Sequence, residues 1–324
     1  MKIMSFIVGF ILIGGSAYCG GIGEMKLVNE QEISLENITD IAISYSSDEI
    51  ILLKSSTGTL VIKEYMNRNN SDYYANITRS GNKLSVNRGE RPIFSLGNNN
   101  LRTRIEIYIP VPLMQEISIR TNSGRITASD DYIFSSVTLQ TSSGSISVNT
   151  ITAMIADITS SSGSIHCERI NGNTNIKASS GSIRLDNIEG DVSIETNSGS
   201  IRFERINGNV SAKTTSGSIR FNGITGRIEA ETSSGRINCS VNEVVGDISL
   251  RTNSGGVELI IPQNSIFNFS TKTSSGRLST PFSDKLFMPV SERNVTQGII
   301  GEGTPNININ IRTNSGSINI KWGI

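Results

Sequence analysis

The sequence has one histidine, one tryptophan, three cysteines and no net charge in 324 residues. Each scarcity removes a class of function. With His166 as the only imidazole, no second histidine or suitably spaced cysteine accompanies it to build a metal or acid–base site. Serine is abundant, yet no Gly-x-Ser-x-Gly elbow stands in a strand-to-helix context. The 29 basic and 29 acidic residues balance, whereas a nucleic-acid binder needs a concentrated basic face to displace counterions from phosphate. Aromatic residues are only 6% of the chain. Glycine, serine, asparagine, threonine and isoleucine prevail instead, a mixture suited to short strands between tight turns.

The first residues read as an export signal. Lys2 is followed by an apolar run, Ile3 to Ile13, and by the small residues Gly14, Gly15, Ser16 and Ala17. The run is too short to span a bilayer comfortably, so residues 1–20 are expected to be a signal peptide cleaved between Ala17 and Gly21. The alternative is an uncleaved N-terminal anchor, the only membrane association expected. Lipidation at Cys19 is disfavoured because Tyr18 stands where a small residue is usual. The expected location is the periplasm or the cell surface.

What the sequence does have is a repeat. A glycine series runs through Gly124, Gly144, Gly163, Gly181, Gly199, Gly217, Gly235, Gly255, Gly276 and Gly316. Four consecutive intervals, Gly163 to Gly235, are 18 residues each, their neighbours are 19 to 21, and the last is 40, about two coils. Gly172, Gly190, Gly208 and Gly226 keep the same beat. Aligned on the first series, five apolar positions recur. They are occupied by Ile165, Ile183, Ile201, Ile219 and Ile237; by Cys167, Leu185, Phe203, Phe221 and Cys239; by Ile170, Ile188, Ile206 and Ile224; by Thr174, Val192, Val210 and Ile228; and by Ile176, Ile194, Ala212 and Ala230. Spacing of two within each half is strand periodicity. Each coil therefore predicts two short strands and two corners, with parity breaking at the Gly-Asn and Ser-Gly corners, where positive φ is tolerated.

One such coil cannot bury its apolar face alone; stacked at ~4.8 Å, identical side chains align into a continuous core. The expectation is all-β, a right-handed parallel β-solenoid (β-helix) with ~18-residue coils, the hand following the usual preference of parallel crossovers. A hexapeptide left-handed helix is excluded because the position six after the leading isoleucine holds Asn171, Glu189, Asn207 and Thr225. The corners lack Gly-Gly-x-Gly-x-Asp, so no calcium, other metal or cofactor is expected.

The expected organisation is irregular N-terminal coils over 21–120, a regular solenoid over 121–280, and an excursion with a closing coil over 281–324. In the early part Ile41 and Ile43, Ile50 to Leu53, Leu60 to Ile62, Leu84 and Val86, and Ile105 to Ile109 read as strands. Pro110 and Pro112 suit a corner or an edge. Two excursions, Glu90 to Asn100 and Pro281 to Pro305, interrupt the pattern, and Trp322 is placed to cover the last coil.

Stacking turns outward positions into columns. His166, Arg184, Arg202 and Arg220 form a basic column, the candidate binding surface, with Glu168, Asp186, Glu204 and Asn222 two positions along on the same outward face. The column either grips an anionic polymer or is neutralised by the acids of its own and adjacent coils. Thr196, Thr214, Thr232 and Thr252 point to a hydroxyl ladder at a corner. Cys167 and Cys239 share an inward position four coils apart, on the order of 19 Å by strand spacing, beyond the ~7 Å reach of a disulfide. They are expected to be separate buried thiols.

The recurrent Thr-x-Ser-Gly-x-Ile units, such as Thr196 to Ile201 and Thr214 to Ile219, the entry from Ile107 to Ser123 and the closing segment from Gly301 to Ile320 resemble a bacterial family called Toastrack, or putative adhesin. The resemblance covers roughly residues 40 to 324. It implies a right-handed β-solenoid outside the cytoplasm, associated with envelope stress sensing, assembly or adhesion, and it brings no catalytic residues. The expected function is a non-enzymatic scaffold, sensor or adhesive surface whose partner is an envelope protein or a surface polysaccharide. The alternative is a carbohydrate-binding or carbohydrate-cleaving β-helix.

Overall fold

A computed structural model describes residues 24–91, 101–282, 286–287 and 294–323. The signal-peptide expectation, Cys19 and most of the Glu90–Asn100 excursion lie outside those residues. By its internal contacts the chain divides into two compact units, Met1–Ala153 and Met154–Ile324. No described helix is long and apolar enough to cross a membrane.

The first unit holds β1 (Lys26–Ile33), β2 (Asp40–Ser44), β3 (Glu49–Lys54), β4 (Leu60–Met66), β5 (Asn76–Ser80), β6 (Lys83–Asn87), β7 (Thr103–Ile109), β8 (Leu113–Thr121) and β9 (Ile126–Thr141); β10 (Ile146–Ser160) leads out of it. Every early segment that reads as a strand is one. The stack is not laid down in chain order, however. Strands β2 and β3 lie between the later pair β6 and β7 on one side and β8 and β9 on the other, all parallel. The outer edge is then closed by antiparallel strands: β5 pairs with β6, β4 with β7, and β1 with β4. Antiparallel covers of this kind leave a charged strand at the edge, here KLVNEQEI in β1, which blunts edge-to-edge pairing.

The second unit continues with β11 (Ile165–Ala178), β12 (Ile183–Glu189), β13 (Val192–Thr196), β14 (Ile201–Asn207), β15 (Val210–Thr214), β16 (Ile219–Thr225), β17 (Ile228–Thr232), β18 (Ile237–Val241), β19 (Ile248–Thr252), β20 (Val257–Ile261), β21 (Phe267–Thr273), β22 (Leu278–Ser279), β23 (Leu286–Phe287), β24 (Val295–Ile300), β25 (Asn308–Thr313) and β26 (Ile318–Trp322). Parallel register advances by 18 residues, Ile183 to Ile201 to Ile219 to Ile237 in one ladder and Val192 to Val210 to Ile228 in the other. All five inward positions are buried as the spacing predicts, and Phe203 stacks on Phe221 with centroids 4.9 Å apart. At roughly 1.5–3 kcal/mol for each fully buried side chain, these columns dominate the stability of the stack.

Three features differ from the sequence reading. First, each regular coil bends at a third place. In β12 both Leu185 and Ile188 point inward, three residues apart, so parity breaks at Asp186–Asn187 inside the strand. In the next two coils the matching residues, Arg205 and Gly223, have φ of 56° and 70°, a bulge that turns the chain. Second, the two glycine series serve different ends. Gly190 and Gly208 need their glycine for φ of 139° and 152°. Gly199 has no positive φ; a Cβ there meets the Gly181 carbonyl oxygen at 1.9 Å. Third, the closing coil is not last in the stack. Strand β25 sits between β19 and β21, and β26 between β20 and β22. The end strand β21 is covered by antiparallel β24, drawn from the second excursion. Phe267, Phe269 and Phe282 pack edge to face over this end, and Trp322 joins them through Phe282 at 5.3 Å.

The Thr-x-x-Gly corner follows from the same close approach. The Thr196 hydroxyl accepts from the Gly199 N–H at 3.3 Å, and the Thr214 hydroxyl donates to the Gly199 carbonyl, also at 3.3 Å. Thr232, Thr252, Thr313 and Thr273 repeat the donation to Gly217, Gly235, Gly255 and Gly316. The threonines are buried, so the column is a corner ladder and not an exposed lattice. Gly199→Ala is expected to destabilise the protein in urea unfolding by at least the ~1–3 kcal/mol of an overpacked core. Ser198→Ala, one residue away and exposed, should stay within about 0.5 kcal/mol.

Candidate functional surface

His166, Arg184, Arg202 and Arg220 do form one column, because they are register partners on β11, β12, β14 and β16. Their side chains are about half exposed where an ion pair fixes them: 48% for His166, 50% for Arg184 and 46% for Arg202. The acids two residues on do not simply share the outward face. The bulge rotates Asp186 and Glu204 until both are buried, while Glu168 and Asn222 remain exposed.

That rotation makes the acids clamps. Asp186 receives Arg184 Nε at 2.8 Å and lies 3.0 Å from His166 Nε2 of the preceding coil. Glu204 receives Arg202 Nε at 2.8 Å and Asn222 Nδ2 of the following coil at 2.7 Å. Desolvation acts to raise the Asp186 carboxyl, but hydrogen bonds and charge from His166 and Arg184 outweigh it and hold the group below its ordinary value. At Glu204 the Asn222 hydrogen bond is the largest influence; with Arg202 it overcomes desolvation in the same direction. Arg220, followed by Asn222 in place of an acid, makes no ion pair among the described residues. The basic column is thus neutralised over its first three members and open at the fourth.

A second outward row was missed by the sequence reading. Lys177, Glu195, Lys213, Glu231, Arg251, Arg312 and Lys272 are successive register partners on β11, β13, β15, β17, β19, β25 and β21, and all are exposed. The 18-residue beat reveals the alternating part. Its last three members meet only through the intercalated coil, which no local spacing shows. At the other corner, Asn173, Asp191 and Asn209 each accept the backbone N–H of the next coil, at 3.2, 2.9 and 3.0 Å.

The early unit contains a charge cluster that the sequence reading also missed. Arg91 is buried and ion-paired to the buried Asp48 and Glu64. Glu64 accepts further bonds from Asn29 Nδ2 at 2.7 Å and the Ala75 N–H at 2.8 Å. Buried pairs of this kind hold geometry when every partner is supplied and cost several kcal/mol when one is removed. Arg88, Arg102 and Arg125 line a cleft of about 710 Å³ together with Arg91 and Asp48.

Cys167 and Cys239 are free and buried, as the stacking register requires, and burial pushes both thiols up to about 12. Among the described residues no group of three or more His, Cys, Asp or Glu is placed to hold a metal ion.

The depressed carboxyls make an acid-limb prediction. Asp186 and Glu204, with ordinary values of 3.8 and 4.5, bind protons less readily folded than unfolded. Their contribution is complete above those ordinary values and is lost as pH falls through the lower folded ones. Urea unfolding of the D186N/E204Q variant between pH 6 and pH 3 should show lower stability at pH 6 and a flatter decline than the parent.

Comparison with known proteins bears on the family. No curated protein matches the chain. Among solved structures, a putative cell adhesion protein from Clostridium sporogenes aligns over 93% of this chain and 100% of its own, at 10% identity and a TM-score of 0.30. Putative adhesins from Bacteroides fragilis and Parabacteroides merdae align over 91% and 74% of this chain and 97% of their own, both at 12% identity, with TM-scores of 0.35 and 0.31. The fold rests on the strand register, since these scores are low. The profile of Toastrack DUF4097 matches residues 38–222 and again 169–321, which together take in the glycine ladder, the bulged strands and the intercalated coil, and the chain belongs to that family.

Proposed function

We propose that this protein is an exported, non-enzymatic β-solenoid that works as a scaffold, sensor or adhesive surface in the cell envelope. The observation that carries the reading is the set of in-register outward columns, each presenting one side chain per strand at ~4.8 Å. Such a surface suits many weak contacts made in parallel along an extended partner, where linkage of sites multiplies affinity without a deep pocket. Family membership supports the same reading. The partner is an envelope protein or a surface polysaccharide, and the open end of the basic column at Arg220 is the point where that column still has charge to offer. The His166, Arg184 and Arg202 part is spent on its own acids.

The test uses the purified full chain and isolated cell envelopes. Retention on envelopes is expected for the parent. Arg220→Glu, which breaks no ion pair, should weaken retention with unfolding unchanged, whereas Arg184→Gln and Arg202→Gln, which free Asp186 and Glu204 from their cations, should lower the unfolding midpoint and leave retention unchanged. Retention indifferent to every outward-column variant overturns the multivalent-surface reading. Turnover of any polysaccharide by the purified chain overturns the non-enzymatic one.

A further inference from the structure

The row Lys177, Glu195, Lys213, Glu231 alternates in sign, and one of its pairs is closed, Lys213 Nζ to Glu231 Oε2 at 3.4 Å. Opposite charges on adjacent strands stabilise the stack and like charges directly opposite destabilise it. The alternation then fails. Arg251 is followed by Arg312 and Arg312 by Lys272, three exposed cations on three adjacent strands. None makes an ion pair among the described residues; the carboxylate in register beside Arg251 is Glu231, already held by Lys213. The order of the run, with Arg312 between Arg251 and Lys272, follows from the intercalation of β25 between β19 and β21. In chain order Arg251 and Lys272 would be neighbours and Arg312 would lie beyond them.

A second observation lies on the same outward face. Two residues before Arg312 and Lys272 stand Asn310 and Ser270, and with Asn268, Asn308 and Gln297 they line a groove of about 300 Å³. Asn268 Nδ2 bonds Asn308 Oδ1 at 3.2 Å across it. The exposed Ile299 forms one wall. A cation row therefore borders a concave strip of amides and a hydroxyl, with one apolar side chain. Guanidinium groups engage planar carboxylates through paired N–H donors, and amide side chains both donate and accept, as sugar hydroxyls require.

We infer that Arg251, Arg312 and Lys272, with the adjoining amide groove, bind an acidic polysaccharide carrying one carboxylate per sugar. The cations stand one per strand at ~4.8 Å, so a polymer charged on every sugar meets the row with more than one charge at once, and the adjoining amides with Ile299 suit sugar rings better than a phosphodiester-linked polyol. The carboxylates lie on the cation row, and the ring hydroxyls of the same chain reach Asn268, Asn308, Asn310 and Gln297. Ile299 packs against the apolar face of a sugar ring. This rests on the surface-binding reading above and names its partner class, but it uses a face different from the Arg220 column.

The experiment is titration of the purified full chain with polygalacturonate, with a neutral glucan and a polyglycerol phosphate as parallel arms. Polygalacturonate is expected to bind and to weaken as salt rises, the neutral glucan not to bind, and the phosphate polymer to bind more weakly. R251Q/R312Q/K272Q should weaken polygalacturonate binding about tenfold or more, while its unfolding midpoint stays equal or rises, since like charges have been removed. Asn310→Ala and Gln297→Ala should each weaken binding with salt dependence retained, a readout that bulk charge alone does not give. Equal binding by the triple variant, or tighter binding of the phosphate polymer, overturns the inference. If polygalacturonate fails to bind while Arg220-dependent envelope retention persists, this inference fails and the broader reading stands.

Discussion

The carbonyl oxygen of each corner glycine occupies the place where the next glycine's Cβ would be. In the second unit that contact runs Gly163, Gly181, Gly199, Gly217, Gly235, Gly255, Gly316, Gly276, with carbonyl-to-virtual-Cβ distances of 1.8–2.0 Å. A parallel stack at ~4.8 Å leaves no room there for any other residue. Except before Gly163 and Gly181, where Ser160 and Ala178 stand, the threonine three residues earlier binds the glycine N–H of its own coil or the glycine carbonyl of the coil before it, and frequently both. Backbone groups that a sharp corner would otherwise leave unsatisfied are supplied by side chains of the coil itself. The period of the repeat, the burial of the threonines and the alignment of the inward isoleucines all depend on this corner recurring in register.

Because the corner is a module, chain order and stack order need not agree. Asp48 supplies the carbonyl beneath Gly124 in the first unit, so β2 and β3 enter the stack although β6 and β7 intervene in sequence before β8. In the second unit the closing coil inserts one place before the end, and its Gly316 seats between Gly255 and Gly276. Both arrangements leave an end strand to be covered by antiparallel partners, β4 and β1 in one unit and β24, from the second excursion, in the other. The second also decides surface chemistry, since it brings Arg312 between two cations.

Much of this was legible in the sequence because the controlling signals are local. Period-two spacing within Ile183–Leu185 and Val192–Ile194 and the 18-residue beat define the inward columns without tertiary knowledge. The bulge at Asp186–Asn187 was not legible: a polar residue between Leu185 and Ile188 reads as outward, and only the pairing with Arg184 and His166 makes a buried carboxylate acceptable. Arg91 failed to stand out for a similar reason, a lone charge beside an irregular segment whose partners, Asp48 and Glu64, are 43 and 27 residues away. The intercalated coil was invisible because an interval of 40 residues fits two successive coils as well as one displaced coil. The basic column was legible as a column, and its neutralisation only as an option, because side-chain rotation at the bulge settles it.

The central claim is that the stack follows the glycine ladder and not the chain. Electron–electron distance measurement between spin labels on outward cysteines tests it directly, using Ser193→Cys paired with either Asn310→Cys or Ser270→Cys. The register runs Ser193, Ser211, Glu229, Ser249, Asn310, Ser270. At ~4.8 Å per strand, the 193–310 pair should lie near 19 Å and the 193–270 pair near 24 Å. The reverse order, with 270 the nearer, contradicts the account.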